Sequence, residues 1–171
     1  KKASFFLDAQ RRNINDISAI NALVADPTFT NANGIPFTEA VANPNTRTNI
    51  SPRIDYQVSK NNTLTVHYQF EQEKEDNEGI GQTTLPTLGY NEVETENTLQ
   101  ASDSQVLSDS VVNETRFQYL RDKDNLRSQS SDPTTQVLGF FTSGGSSRGN
   151  NLDTADNYEL QNYTSIAHGK H

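Results

Sequence analysis

The sequence predicts an all-β fold: an antiparallel up-and-down meander of long hairpins with long polar loops, one unit over residues 1–171. Three observations predict it. Short segments alternate apolar and polar residues with a period of two. Tight turns rich in Ser, Asn and Asp join some of these segments, and long polar stretches join the others. The apolar share is 32%, whereas a compact soluble domain carries nearly half. Disorder is the competing reading of that composition. It is weakened because Phe, Tyr, Val, Ile and Leu cluster into the alternating runs.

The first run is Ser4 to Arg12. Phe5, Leu7, Ala9 and Arg11 share one face, and Ser4, Phe6, Asp8, Gln10 and Arg12 share the other. A polar loop is expected over 13–46, with Asn33-Gly34 as a turn and a short helix over Ile17 to Ala25 capped by Asp16. The clearest hairpin follows. Ile50, Pro52, Ile54, Tyr56 and Val58 alternate with Ser51, Arg53, Asp55 and Gln57. Ser59-Lys60-Asn61-Asn62 turns the chain, and Leu64, Val66, Tyr68 and Phe70 then alternate with Thr65, His67, Gln69 and Glu71. Each of these strands spans about 10 residues, near the length of a tilted membrane strand.

A second polar loop is expected over 72–91. Val93 to Leu107 reads as a long strand, Ser108-Asp109-Ser110 as a turn, and Val112 to Arg121 as the returning strand, with Phe117 and Tyr119 opposite Arg116 and Gln118. A third loop is expected over 122–156, enclosing Val137-Leu138-Gly139-Phe140-Phe141 and a glycine-rich stretch. Tyr158 to Ala167 closes the series. Short and long connections therefore alternate, which places every long loop at one end of the sheet. Outer-membrane barrels have that asymmetry, and a β-sandwich does not require it. A soluble sheet gives the same face alternation, with its apolar side against a core.

The formal charge of −8 argues against nucleic-acid binding, which needs clustered Lys and Arg. The chain has no cysteine, so disulfides and thiolate metal sites are excluded. No run of about 18 apolar residues exists, which rules out a transmembrane helix but not a membrane strand. The sequence lacks methionine, and both ends read as cuts through a longer protein.

No catalytic, cofactor-binding or metal residue is assigned. The histidines are His67, His168 and His171. His67 lies on a polar strand face near Glu71 and is expected to be solvated or hydrogen-bonded, because zinc needs several converging ligands. No serine lies in a nucleophile-elbow pattern. The acidic stretch Glu71 to Glu78, and Asp122, Asp124, Asp153 and Asp156, are expected to be solvated. If they hold a metal, calcium bound through oxygens is the one to expect. Gly144-Gly145-Ser146-Ser147-Arg148-Gly149 lacks the Lys-Ser/Thr pair of a phosphate loop and reads as a flexible loop tip. Arg11/Arg12 and Arg53/Asp55 read as lumen-facing polar residues.

Several phrases carry a resemblance. Ser4-Phe5-Phe6-Leu7-Asp8-Ala9-Gln10-Arg11-Arg12 resembles an early barrel strand of TonB-dependent receptors of the Oar-like kind. Ile50-Ser51-Pro52-Arg53-Ile54-Asp55-Tyr56-Gln57 with Asn62-Thr63-Leu64-Thr65-Val66 resembles another. Val112-Asn113-Glu114-Thr115-Arg116-Phe117-Gln118-Tyr119 and Tyr158-Glu159-Leu160-Gln161-Asn162-Tyr163 resemble later ones. The resemblance implies an internal segment of an outer-membrane β-barrel, partnered by the rest of the barrel, its plug and outer-membrane lipid. It implies ligand uptake, with the long loops contributing recognition. Two other expectations stand beside it. The fragment could self-assemble through its edge strands, near residues 4–12 and 158–167, into an oligomer or filament, or it could be a soluble β-sandwich adhesin module. An enzyme is not expected, because no acid, base, nucleophile or cofactor cradle converges.

Overall fold

A computed structural model describes residues 2–24 and 36–168. Six long strands, β1 (Ala3–Ala22), β2 (Phe37–Ser59), β3 (Asn62–Glu78), β4 (Tyr90–Ser108), β5 (Val111–Ser128) and β8 (Asn151–Ile166), form one sheet. Their order is β1-β2-β3-β4-β5-β8, antiparallel throughout. The short hairpin β6 (Thr135–Val137) and β7 (Phe141–Ser143) lies in the connection before β8, and a single 3-10 turn spans Pro86–Leu88. The up-and-down meander is as the alternation predicts.

The strands are longer than the hydropathy pattern suggests, at 16 to 23 residues. Strand thus extends into both ends of each of the loops expected over 13–46, 72–91 and 122–156. The last two shrink to residues 79–89 and 129–150. The helix expected from Ile17 is absent, because 17–22 belong to β1 and pair residue by residue with β2 from Ala42 to Phe37. The Asp16 carboxylate accepts a hydrogen bond from the Ile17 amide at 2.8 Å, a local contact that caps no helix. Twenty consecutive cross-strand pairs outweigh a marginal helical preference. The Asn33-Gly34 turn, residue 25 and the last three residues lie outside the described residues.

The pleat divides the sheet cleanly. On the strands, the buried residues Ile20, Ala22, Glu92, Thr98 and Leu126 all fall on one face. The loops cause this by folding over that side. Asn21 donates to the Gln82 carbonyl at 2.6 Å, Leu85 to that of Thr142 at 2.9 Å, and Leu23 to that of Phe140 at 3.3 Å. Ile20, Ala22, Val24, Ile80 and Leu85 form a small core there, flanked by Phe37, Val41 and Phe141. This is the inner face.

The outer face carries the apolar band. One register row reads Phe5, Ile54, Val66, Ala101, Phe117 and Leu160, and a neighbouring one includes Leu7, Leu99, Tyr119 and Tyr158. These side chains are uncovered: Phe5 is 62% and Leu160 73% exposed. A β-sandwich would bury such a face against a second sheet. Among the described residues the only other sheet is the two-stranded β6–β7 hairpin, so the sandwich expectation is overturned. Pro52 sits within β2 where the β2–β3 ladder lacks pairs at Ser51 and Pro52, between Ile50↔Phe70 and Arg53↔His67 in unchanged register, a gap that accommodates its missing donor.

Candidate functional site

On the inner face, beyond the apolar band and toward the loops, three register rows bring carboxylates into line. Glu71 lies opposite Glu96, and Glu96 opposite Asp122. Glu73 lies opposite Glu94, Glu94 opposite Asp124, and Asp124 opposite Asp153. Glu75 lies opposite Glu92. Each strand contributes its acids at every second residue, so the pleat aims them all the same way. Like charges directly opposite one another destabilise a sheet, and the structure offsets this in two ways.

The first is a column of donors on β2. The Asn45 amide donates to Glu73 at 2.7 Å and to Glu75 at 2.6 Å, and that of Asn49 donates to Glu71 at 2.6 Å. Arg47 pairs with Glu73 at 2.6 Å. The second is Arg148, which reaches down from the loop before β8. Its guanidinium grips both oxygens of the buried Glu92, at 2.8 and 3.1 Å, and stacks 5.0 Å from the Tyr90 ring. Those contacts hold Arg148 firmly in its charged form.

The carboxyls respond accordingly. Burial raises the Glu94 and Asp124 pKa values, and neighbouring acids, Glu92 foremost, raise them further. Burial and then Glu78 and Glu73 raise that of Glu75. Glu73 is also penalised by burial, but the Asn45 and Arg47 contacts win and lower it. A groove of about 640 Å³ runs between Arg12 and Arg47 at one side and Glu94, Asp122, Asp124 and Asp153 at the other. Glu92, Glu94 and Asp124 each offer a carboxylate oxygen, all within 4.8 Å of one another. Hard oxygen donors in that arrangement could hold calcium or another divalent cation.

The acids singled out in the sequence divide between the faces. Glu71, Glu73, Asp122, Asp124 and Asp153 line the groove, and Glu75 faces the same side opposite Glu92. Asp76 and Asp156 project outward, where they meet Lys74 at 3.0 Å and Arg121 at 3.8 Å. Sequence reasoning missed Glu92, Glu94 and Glu96. Their every-second-residue spacing was visible, but the register that sets them against β3 and β5 was not. His67 is hydrogen-bonded, with Ser51 Oγ at 2.7 Å and Gln100 Oε1 at 3.3 Å. His168 is exposed, and His171 lies outside the described residues. Arg12, Arg53 and Asp55 face inward as expected. Arg11 does not, because adjacent strand residues point oppositely. The glycine-rich stretch is anchored rather than a free tip: Gly144 N–H donates to Thr87 Oγ1 at 3.2 Å, and Ser146 N–H to Ser128 Oγ at 3.0 Å.

A lone sheet with an uncovered apolar outer face and a polar, loop-capped inner face is the wall of a membrane barrel. A family model described as an outer membrane beta barrel domain matches residues 8–171. The chain belongs to this family. No curated protein and no solved structure matches it. An outer membrane beta barrel domain has an apolar outward band and a polar interior, and the two faces of this sheet follow that division. It also places the protein in the outer membrane. The aromatic side chains Phe70, Tyr119 and Tyr158 lie at the loop-side margin of the band, where a barrel sets its interfacial girdle. Tyr119 and Tyr158 stack with ring centroids 4.8 Å apart, and the Tyr119 hydroxyl donates to Asp156 at 2.7 Å.

Proposed function

We propose that the chain is part of the wall of a TonB-dependent receptor that takes up a ligand across the outer membrane, its loops contributing to capture. One observation carries the reading. The loops at 79–89 and 129–150 fold over the inner face, beside a charged groove, instead of standing away from it. A passive pore needs an open lumen, whereas a receptor needs a shaped surface at its mouth, built by loops on a rigid scaffold. The resemblance of the strand phrases to Oar-like receptors supports the same reading. The groove's excess of carboxylates attracts cations and repels anions, so the reading favours a ligand that is not strongly anionic. No catalytic role is proposed.

The test is made on the complete protein. Its reading frame should encode a plug ahead of this segment and further strands after it. The purified protein should bind the periplasmic domain of the energy-coupling protein TonB from its own host. A frame without a plug, or a plug-containing protein that fails to bind that domain, overturns the receptor reading and leaves an uncoupled barrel.

A second reading rests on the sheet edges. Among the described residues β1 and β8 each have one unpaired side, with Phe6, Leu7, Tyr158 and Ile166 exposed along them. Open edges recruit strands. In the receptor they meet neighbouring strands of the same barrel. In a released segment they would meet other copies. Light scattering from the isolated segment distinguishes the two: a stable monomer in water counts against edge-driven assembly.

A further inference from the structure

We infer that the groove binds a short zwitterionic peptide laid across the strands, its carboxylate at Arg12 and its cationic end at Glu94 and Asp124. The inference names a ligand class for the capture reading above and rests on it for the presence of a captured ligand.

A single register row is the basis. Arg12, Arg47, Glu73, Glu94, Asp124 and Asp153 stand opposite one another in turn on the inner face, one from each long strand. All six line the groove. The row therefore runs from positive at β1 to negative at β8. Which of these charges are open follows from their partners. Arg47 and Glu73 neutralise each other. In the adjoining rows Asn49 donates to Glu71, Asn45 to Glu75 and Thr98 to Glu96, and Arg148 pairs with Glu92. Among the described residues, Arg12 has no carboxylate within ion-pair distance, and Glu94, Asp124 and Asp153 have no cation.

These open charges cannot reach each other. Arg12 lies three strands from Glu94 and four from Asp124. At about 4.8 Å per strand the separation is roughly 14–19 Å, beyond a Debye length of about 8 Å. A ligand that satisfies both ends must span the same distance. An extended chain advances about 3.3–3.6 Å per residue, so about four to six residues fit. The groove volume of about 640 Å³ lies within the usual range for small-ligand sites.

The two ends suit the two ends of a peptide. The Arg12 guanidinium is exposed and can grip a terminal carboxylate through two parallel bonds. At the other end Asp124 Oδ1 is buried yet receives no hydrogen bond from the chain, so that carboxylate is short of a donor. Glu94 and Asp124 face each other with like charge, and an ammonium beside them relieves that repulsion as it binds. A purely cationic ligand would leave Arg12 unused, and a purely anionic one would meet the open acids.

The experiment is isothermal titration calorimetry on the full-length protein in a non-ionic detergent. The probe is the peptide lysyl-tetraalanine with both termini free. A second peptide is amidated at its C-terminus, and a third carries N-acetylglutamine in place of the lysine. The unaltered protein should bind the probe saturably. Binding of the amide should be about five-fold weaker, the upper scale of one exposed ion pair, and that of the acetylated peptide at least about ten-fold weaker, because two positive charges are lost. Arg12→Gln should abolish the first preference and keep the second. Glu94→Gln/Asp124→Asn should do the reverse. Arg53→Gln, on the same face outside the groove, should change neither.

No saturable binding of the probe at millimolar concentration would overturn the inference. So would equal binding of the probe and its amide, which would show a site for cations alone. Preferences that survive both groove substitutions would put the peptide elsewhere and overturn it too. Heat-modifiable gel mobility checks that each variant is folded, and the peptide series on the unaltered protein decides the matter if one is not. Peptide binding is measured without energy coupling. Loss of TonB binding alone therefore removes the receptor reading, and loss of peptide binding alone removes the peptide site.

Discussion

Glu94 lies between Glu73 and Asp124 on its two neighbouring strands, and no cation is paired with it among the described residues. Removing its charge should relieve two unfavourable pairs. Glu94→Gln is expected to stabilise the domain by about 0.5–1 kcal/mol on the scale of cross-strand pairs, read as a higher urea midpoint with an unchanged slope. No gain would mean that solvent or a cation already neutralises this row. Arg148 presents the opposite case. Its side chain is half exposed, which limits its worth, but its partner Glu92 is almost fully buried. Arg148→Ala should cost about 1–2 kcal/mol by stranding that carboxylate. The loss should appear as faster amide exchange across 135–150, with the band strands unaffected.

At the scale of elements, the loop-side ends of β3, β4 and β5 form a unit whose stability depends on pH in an unusual direction. Glu75, Glu94 and Asp124 have folded pKa values above their ordinary ones, through burial and then neighbouring acids. A group raised in this way favours folding fully below its unfolded pKa and loses that contribution as pH rises through the folded value. Glu73 is lowered and opposes the trend, but three groups outnumber one. Acidification from neutral toward the upper carboxylate range should therefore tighten these strand ends. After correction for the intrinsic pH dependence of exchange, amides of 90–96 and 121–127 should be better protected at about pH 5.5 than at pH 7.5. Poorer protection at the lower pH would show that Glu73 and its ion pair dominate. The β6–β7 hairpin is an element with a mechanical role, since Phe140 and Thr142 tie it to Leu23 and Leu85.

At the scale of the molecule, the sheet's two faces require different surroundings. Val66→Arg would put a charge in the middle of the outer band, where it costs about 2–4 kcal/mol in lipid. His67→Arg, one residue away, points to the wet inner face and should cost far less. The comparison is read as the yield of folded protein in neutral vesicles. Equal losses from both changes would mean that the outer face is not in lipid.

Much of this was legible in the sequence. The alternation from Ile50 to Phe70, the two tight turns at Lys60 and Asp109, and the more apolar side of each run pointed to an all-β meander and to the membership of each face, because a strand's period is two whatever it pairs with. The sequence could not show where each strand ends. Beyond the apolar band the regular alternation of apolar and polar residues lapses, so hydropathy loses its signal, and β1 and β2 continue through Asn- and Thr-rich stretches that look like loop. Nor could it show the acidic groove. Its residues come from all six long strands, and only the register of five strand pairs brings them into line. Local pattern decides which way a side chain points, and cross-strand pairing decides what it meets there.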